Sequence, residues 1–260
     1  MTYDVLGNIA IIKFDEDKKT EEKKRIAQTI LERHKNIRTV LEKLGKVSGR
    51  LRTIKTKYLV GERTKESEYK ENGCVFRFNV ETCYFSPRLS EERKRLTNEC
   101  KEKEKILVMF GGVAPYAIII AKNKKGIKKV VSVELGKECN KYAKINIKKN
   151  KVEGRVEIIA GDVKKIMPKM KKKKERFDRI IMARPNLEES FIKYALMVSK
   201  KGTIIHYHGF CHEEEKEKMA DSLMKEINKE GRKAEILNVI KVGDIAPRKY
   251  RYRINMKIMN

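Results

Sequence analysis

Three short stretches of this chain carry residue types suited to nucleoside chemistry. Met109 to Ala117 reads MFGGVAPYA. Small residues after a strand let a ligand approach the backbone, and the N-terminus of a following helix favours negative charge there. The next apolar run ends in Glu134, whose carboxylate is placed to accept both ribose hydroxyls of an adenosyl group. A third run ends in Gly161-Asp162, where an acidic side chain can receive an adenine amino group. Together these tips describe a crevice at the carboxyl ends of parallel strands. GxGxxG is absent, which argues against a dinucleotide. A similar fold without ligand is the competing reading.

Charge points to a partner. The 260 residues include 63 Lys and Arg against 36 Asp and Glu, a net charge of +27. Self-repulsion on that scale costs stability, and its usual counterpart is a polyanion such as nucleic acid. A solvated lysine-rich surface is the bland alternative.

Other classes drop out. No apolar run approaches the roughly 20 residues of a membrane helix, and the N-terminus is not a signal peptide. The cysteines Cys74, Cys83, Cys100, Cys139 and Cys211 form no CxxC, and a reduced, cytoplasmic setting is expected. His34, His206, His208 and His212 make no convincing metal site, so no metal is expected.

These residues need elements to hold them. Tyr3 to Gly7 and Ile9 to Ile12 read as strands. A charged helix is expected from Glu21 to Leu44, stopped by Gly45. Residues 50–85 are strand-like, with Cys74, Phe76, Phe78 and Val80 alternating. From Ser90, an expected N-cap, strands and helices alternate. Strands are expected at 106–110, 129–134, 156–160, 179–182 and 202–208. Helices are expected at 116–122, 137–150, 187–199 and 213–230. Lys169 to Arg176 reads as a basic loop. Two closing strands, 234–242 and 250–258, share a loop short enough only for antiparallel neighbours. The alternation predicts an α/β fold with a doubly wound sheet.

With these motifs in view, the chain resembles the archaeal and eukaryotic tRNA guanine-37 N1-methyltransferases and their relatives in wyosine biosynthesis. The resemblance runs from YDVLGNIAII through HKNIRTVLEKLGKVSG, YKENGCVFRFNVETCYFSPRLSEER and MFGGVAPYAI to GTIIHYHGF and GDIAPRKYRYRI. YFSPRLSEER is its most specific piece. It implies a class I S-adenosylmethionine (SAM) methyltransferase domain over 89–260. This is a Rossmann-like sheet with an antiparallel last strand. A small α+β, RNA-binding domain is expected over 1–88. The tRNA-elbow domain of many archaeal members is expected to be missing. SAM is the implied cofactor, tRNA the implied partner, and a monomer is expected.

Residue roles follow from the same resemblance. Glu92 matches the general base that removes the guanine N1 proton, and Arg52 the arginine that holds O6. Arg88 and Arg93 match basic positions near SAM. Phe110, Gly111, Gly112, Val113 and Pro115 match the cofactor loop. Glu134, Leu135, Asp162 and Val163 match the ribose and adenine contacts, and Ala183 stands at the fourth strand's tip. The residue types suit the chemistry: a carboxylate frees a protonated nucleophile, and a guanidinium stabilises charge growing on oxygen. Plainer readings exist. Glu92 also suits the positive end of a helix, and Arg52 a phosphate contact. Tyr84 and Phe85 suit either base stacking or core.

Three positions depart from the family pattern. Val108 replaces an acid at the first strand, and Ala114 replaces a glycine, which alanine tolerates if the backbone is not left-handed. Ala183-Arg184-Pro185 replaces an Asn-Leu-Pro or Asn-Pro-Pro motif, with Asn186 displaced by three positions. Methyl transfer to N1 of guanosine 37 leads. Aminocarboxypropyl transfer from SAM and a non-catalytic tRNA-binding paralogue are the alternatives.

Overall fold

A computed structural model of the chain describes residues 3–183 and 189–260. The N-terminal unit opens with β1 (Tyr3–Leu6) and β2 (Ile9–Ile12), paired antiparallel. Helix α1 (Thr20–Arg33) carries the chain over to β3 (Thr39–Ser48), which lies parallel to β2, and β4 (Thr53–Gly61) returns antiparallel. The sheet order is β1-β2-β3-β4. β2 is buried along its whole length, as its unbroken Ile-Ala-Ile-Ile run requires.

The expected helix 21–44 is corrected here: it ends at Arg33 and residues 39–48 are a strand. Thr39 and Val40 are β-branched, and Val40 and Leu41 are buried completely where β3 lies between β2 and β4. Gly45 is not a helix stop. It lies within β3 at φ +74°.

β5 (Glu66–Glu71) and β6 (Cys74–Asn79) form a hairpin. The second unit continues with α2 (Ser90–Glu99), β7 (Lys105–Met109), α3 (Pro115–Asn123), β8 (Lys129–Glu134), α4 (Lys137–Asn150) and β9 (Val156–Ala160). Then come α5 (Val163–Lys172), β10 (Phe177–Met182), α6 (Ile192–Leu196), β11 (Ser199–His212), α7 (Lys216–Lys229), β12 (Ala234–Ala246) and β13 (Lys249–Ile258). The seven-stranded sheet runs β12-β13-β11-β10-β7-β8-β9. Strands β11 to β9 in that order are parallel, and β13 is antiparallel to both β11 and β12. This is the expected α/β sheet with its antiparallel last strand. β7 sits between β8 and β10, so the strand order reverses beside it and a crevice opens at the strand tips.

Three local expectations change. α5 extends through Lys172, because Met167 and Met170 face the core three residues apart, so residues 169–172 are helix rather than loop. The helix expected at 187–199 is α6, which spans only Ile192–Leu196, and β11 begins at Ser199. Ser90 is the first residue of α2 rather than its cap, because a 3₁₀ turn at Pro87–Leu89 precedes it.

The hairpin is held by amide side chains. Asn146 and Asn150 lie one turn apart on α4 and bond the backbone of β6 as a neighbouring strand would. Asn146 Oδ1 accepts from the Arg77 N–H at 2.7 Å, and Asn150 Oδ1 from the Val75 N–H at 2.9 Å. Their Nδ2 groups donate back to the same two residues' carbonyls at 3.1 and 2.7 Å. Apolar burial is continuous from β2 and β3 through the hairpin to α3, α4 and the large sheet.

Candidate active site

One cavity gathers residues from both units. It encloses about 760 Å³, open mouth included, at the carboxyl ends of β7, β8 and β10. Phe110, Gly111, Gly112 and Pro115 form its floor. Glu134 bounds one side and Ala183 another. Arg52 and Tyr84 overhang it, and Arg93 and Arg251 line it from α2 and β13.

The floor needs its glycines. A Cβ on Gly111 would sit 1.9 Å from Ser132 Oγ on β8, and Gly112 has φ +57°. Gly111 therefore packs bare backbone against β8, and Gly112 turns in the left-handed region that glycine adopts freely. Glu134 ties this floor to the next turn. Its Oε2 accepts from the Gly112 N–H at 2.9 Å and its Oε1 from the Gly136 N–H at 2.7 Å. Each oxygen keeps a second lone pair, so the carboxylate can still receive ribose hydroxyls. The open glycine floor and the carboxylate beside it fit an adenosyl ligand.

Ala114 is strained. It caps α3 at φ 66°, ψ 36° and is fully buried. The condition under which alanine is tolerated there, a backbone outside the left-handed region, is not met. Val108 lies in the core of β7, away from the cavity.

Eight of the expected residues line the cavity: Arg52, Arg93, Phe110, Gly111, Gly112, Pro115, Glu134 and Ala183. Six do not. Val113 is core, and its carbonyl accepts from Asn146 Nδ2. Leu135 is half-buried beyond Glu134. Val163 packs in the core at the start of α5. Asp162 caps α5, accepting from the Lys164 N–H at 2.9 Å, and its other oxygen receives Arg50 Nη2 at 3.0 Å. Partial burial opposes its charge. The Lys164 amide and the Arg50 guanidinium outweigh that and hold its carboxyl below the ordinary range. Arg88 is exposed and reaches Asp4. Arg184, Pro185 and Asn186 lie outside the described residues.

Glu92 is the sixth. It is buried behind the cavity wall, where its Oε1 receives Arg253 Nη1 at 3.0 Å and His208 Nε2 at 3.2 Å. Among the described residues its Oε2 has no partner, nor do two nearby polar atoms, His208 Nδ1 and the hydroxyl of Tyr116, which does line the cavity. Arg93 is similarly engaged. It forks onto Glu71 at 2.5 and 2.6 Å and donates to the Ser86 carbonyl at 3.0 Å.

A buried polar layer runs behind the wall. Arg179 donates to Glu104 and to His206 Nε2, and His206 Nδ1 bonds Asn255 Oδ1 at 2.5 Å. Arg253 also pairs with Glu99. Burial, reinforced by Arg179 and Arg253, drives His206 well below the usual histidine range, so it is neutral. Burial lowers His208 too, against the pull of Glu92.

Sequence reasoning missed Arg50, Cys139 and Arg251. Arg251 had a readable signal. RYRIN alternates charge and core, which puts Arg251, Arg253 and Asn255 on one face of β13, opposite Phe210, His208 and His206 of β11.

Residues 67–237 match the TRM5/TYW2 methyltransferase domain, and residues 1–64 match the TYW2 N-terminal domain. The chain is 36% identical, over the whole of both chains, to the tRNA (guanine(37)-N(1))/4-demethylwyosine(37)-methyltransferase Taw22 of Nanoarchaeum equitans. It superposes on Pyrococcus abyssi Trm5b with a TM-score of 0.85 at 34% identity, covering all of this chain and 75% of that one. Methanocaldococcus jannaschii Trm5 in complex with adenosine gives 0.82 at 26% identity, covering all of this chain and 72% of the other.

Proposed function

The chain belongs to the TRM5/TYW2 methyltransferase family, and on that premise we propose that it transfers the methyl group of SAM to N1 of guanosine 37 in tRNA. One observation carries the reading. A glycine floor and a carboxylate suited to an adenosyl group share a cavity with Arg52 and Tyr84, which arrive from the basic N-terminal side. SAM, when bound, supplies an activated methyl group, so the protein's task is alignment and charge control. Gly111, Gly112 and Glu134 hold the adenosyl part, and Asp162 borders the adenine end. The target base leaves its stack to enter. Arg52, whose guanidinium lies 4.0 Å over the Tyr84 ring, meets the guanine O6. Glu92 accepts the N1 proton at its unpartnered Oε2, passed through or past the Tyr116 hydroxyl. Arg93 acts by positioning, through its grip on Glu71 and Ser86.

The test is a reaction of purified protein with SAM and unmodified tRNA bearing guanosine 37, read by nucleoside mass spectrometry. 1-Methylguanosine at position 37 is the expected product, and its absence sinks the reading. A second reading rests on the name of the Nanoarchaeum relative and on the TYW2-type N-terminal match. It assigns action on a wyosine precursor at position 37, with methyl or aminocarboxypropyl as the group moved. Product mass on that precursor tests it.

The cytoplasmic setting and the monomeric state belong to the same proposal: the setting suits a tRNA substrate, and the described lining of the cavity comes from a single chain. The division into 1–88 and 89–260 is also proposed. Limited proteolysis tests it, and cleavage confined to residues 62–66 would assign the β5–β6 hairpin to the second unit.

A further inference from the structure

Arg251 is a buried cation without an anion. It is 5% exposed and lines the cavity from β13. Among the described residues no carboxylate forms an ion pair with it. Its guanidinium lies 4.9 Å from the centre of the Phe210 ring, beside the Tyr84 hydroxyl. Every other buried arginine among the described residues is matched: Arg93 by Glu71, Arg179 by Glu104, and Arg253 by Glu92 and Glu99. An unpaired buried charge is costly, and such groups persist where a ligand completes them.

A second cation sharpens the point. Arg52 lines the same cavity, stacked on the face of Tyr84, with its Nε buried and, among the described residues, unpartnered. The two arginines thus share one tyrosine, and they repel each other. Burial first, and Arg52 among the other causes, lower Arg251 from the usual arginine range. Tyr116 on α3 and His208 on β11 are its other titratable neighbours. Neither is an anion: burial raises the Tyr116 hydroxyl and lowers the His208 imidazole. Two guanidiniums at one tyrosine, Arg52 on the ring face and Arg251 beside the hydroxyl, open to one cavity and without an ion-pair partner among the described residues, make a receptor for a planar anion.

We propose that Arg251 is the second guanidinium of the target-base site, paired with Arg52 across Tyr84 to stabilise the negative charge that guanine gains as N1 loses its proton. This rests on the guanosine reading above. Arg251 makes and breaks no covalent bond. The N1 proton goes to the Glu92 carboxylate, and the charge left behind spreads over N1 and O6, where a fixed guanidinium lowers its energy.

The test uses the full chain with Arg251→Gln and Arg251→Lys, and circular dichroism to confirm folding. For Arg251→Gln the single-turnover rate on guanosine-37 tRNA should fall on the order of 10² fold, and the rate should rise with pH to a higher midpoint than in the wild type. SAM affinity by calorimetry and tRNA affinity should change by less than about threefold. Arg251→Lys should recover part of the rate, and it carries the test should the glutamine variant not fold. A large loss of SAM affinity at unchanged rate would instead assign Arg251 to the SAM carboxylate, and a loss of tRNA affinity alone to a phosphate. Either result, or an unchanged rate, overturns the proposal. If the wild type yields no 1-methylguanosine, the guanosine reading itself has failed, whereas an active wild type with an indifferent Arg251→Gln isolates the failure to Arg251.

Discussion

Arg93 and Glu71 form a forked ion pair in which both side chains are 2% exposed. The pair joins α2 to the end of β5, directly beneath the cavity. Removing one partner leaves the other charged and buried. Glu71→Ala should cost about 3–5 kcal/mol, read as a lower urea midpoint. A loss below about 1 kcal/mol would mean that the pair behaves as a surface one.

Ala114 adopts a left-handed backbone with no room to relax, since it is fully buried. Glycine removes that penalty at some cost in unfolded-chain entropy. Ala114→Gly should stabilise the protein by roughly 0.5–1 kcal/mol. Chemical denaturation checks this, and a destabilised variant would contradict the assigned backbone.

Gly111 and Ser132 should be coupled. Gly111→Ala drives a Cβ into Ser132 Oγ, but only the hydroxyl oxygen is that close, because Ser132 Cβ stands 3.3 Å away. The single variant should lose about 1–3 kcal/mol and SAM affinity with it. Adding Ser132→Ala should restore most of both. Additive losses in the double variant would place the clash elsewhere.

The buried histidines predict acid sensitivity. His206 and His208 both sit below the ordinary value of 6.5, driven first by burial. The unfolded chain therefore binds more protons than the folded one once pH drops through 6.5, and folded stability falls with it. The carboxylates with lowered values, Glu66, Glu81 and Asp178 among them, lose their contribution only further into acid. Melting temperature should thus decline already between about pH 7 and pH 5.5, above the carboxylate range. A flat profile over that interval would show that the histidines are not held neutral.

Net charge predicts the response to salt. Binding of tRNA should weaken linearly on a double-logarithmic plot. For about six phosphate contacts the loss is roughly a thousandfold between 50 and 200 mM salt. Fluorescence anisotropy measures it, and a shallow slope would remove electrostatics as the main source of affinity.

Much of the fold was legible because its signals are local. β7, β8 and β10 are short apolar runs whose tips are small or acidic residues, and the short loop expected at 243–249 leaves no choice but antiparallel pairing, although in the structure β12 and β13 run on until only residues 247–248 turn. Residues 34–44 misled for a physical reason. Their apolar positions satisfy a helical stripe and a doubly buried strand alike, and only β2 and β4 on either side decided for strand. Glu134 was readable because a strand tip exposes its last side chain. Asp162 was placed at the right tip, yet its carboxylate meets Arg50, 112 positions earlier in sequence.

By itself, the sequence determined the strands of the large sheet, where the glycine floor and its acid fall, and a net charge that calls for a polyanion, since periodicity, turn chemistry and net charge depend on neighbours along the chain. Tertiary structure alone decided which charges are matched. Arg93, Arg179, Arg253 and Arg251 look alike as residues. Three meet a carboxylate brought from another element, and the fourth, among the described residues, meets Tyr84, Phe210 and the open cavity without one. Pairing through space depends on which side chains burial brings together, and no spacing along the chain encodes it.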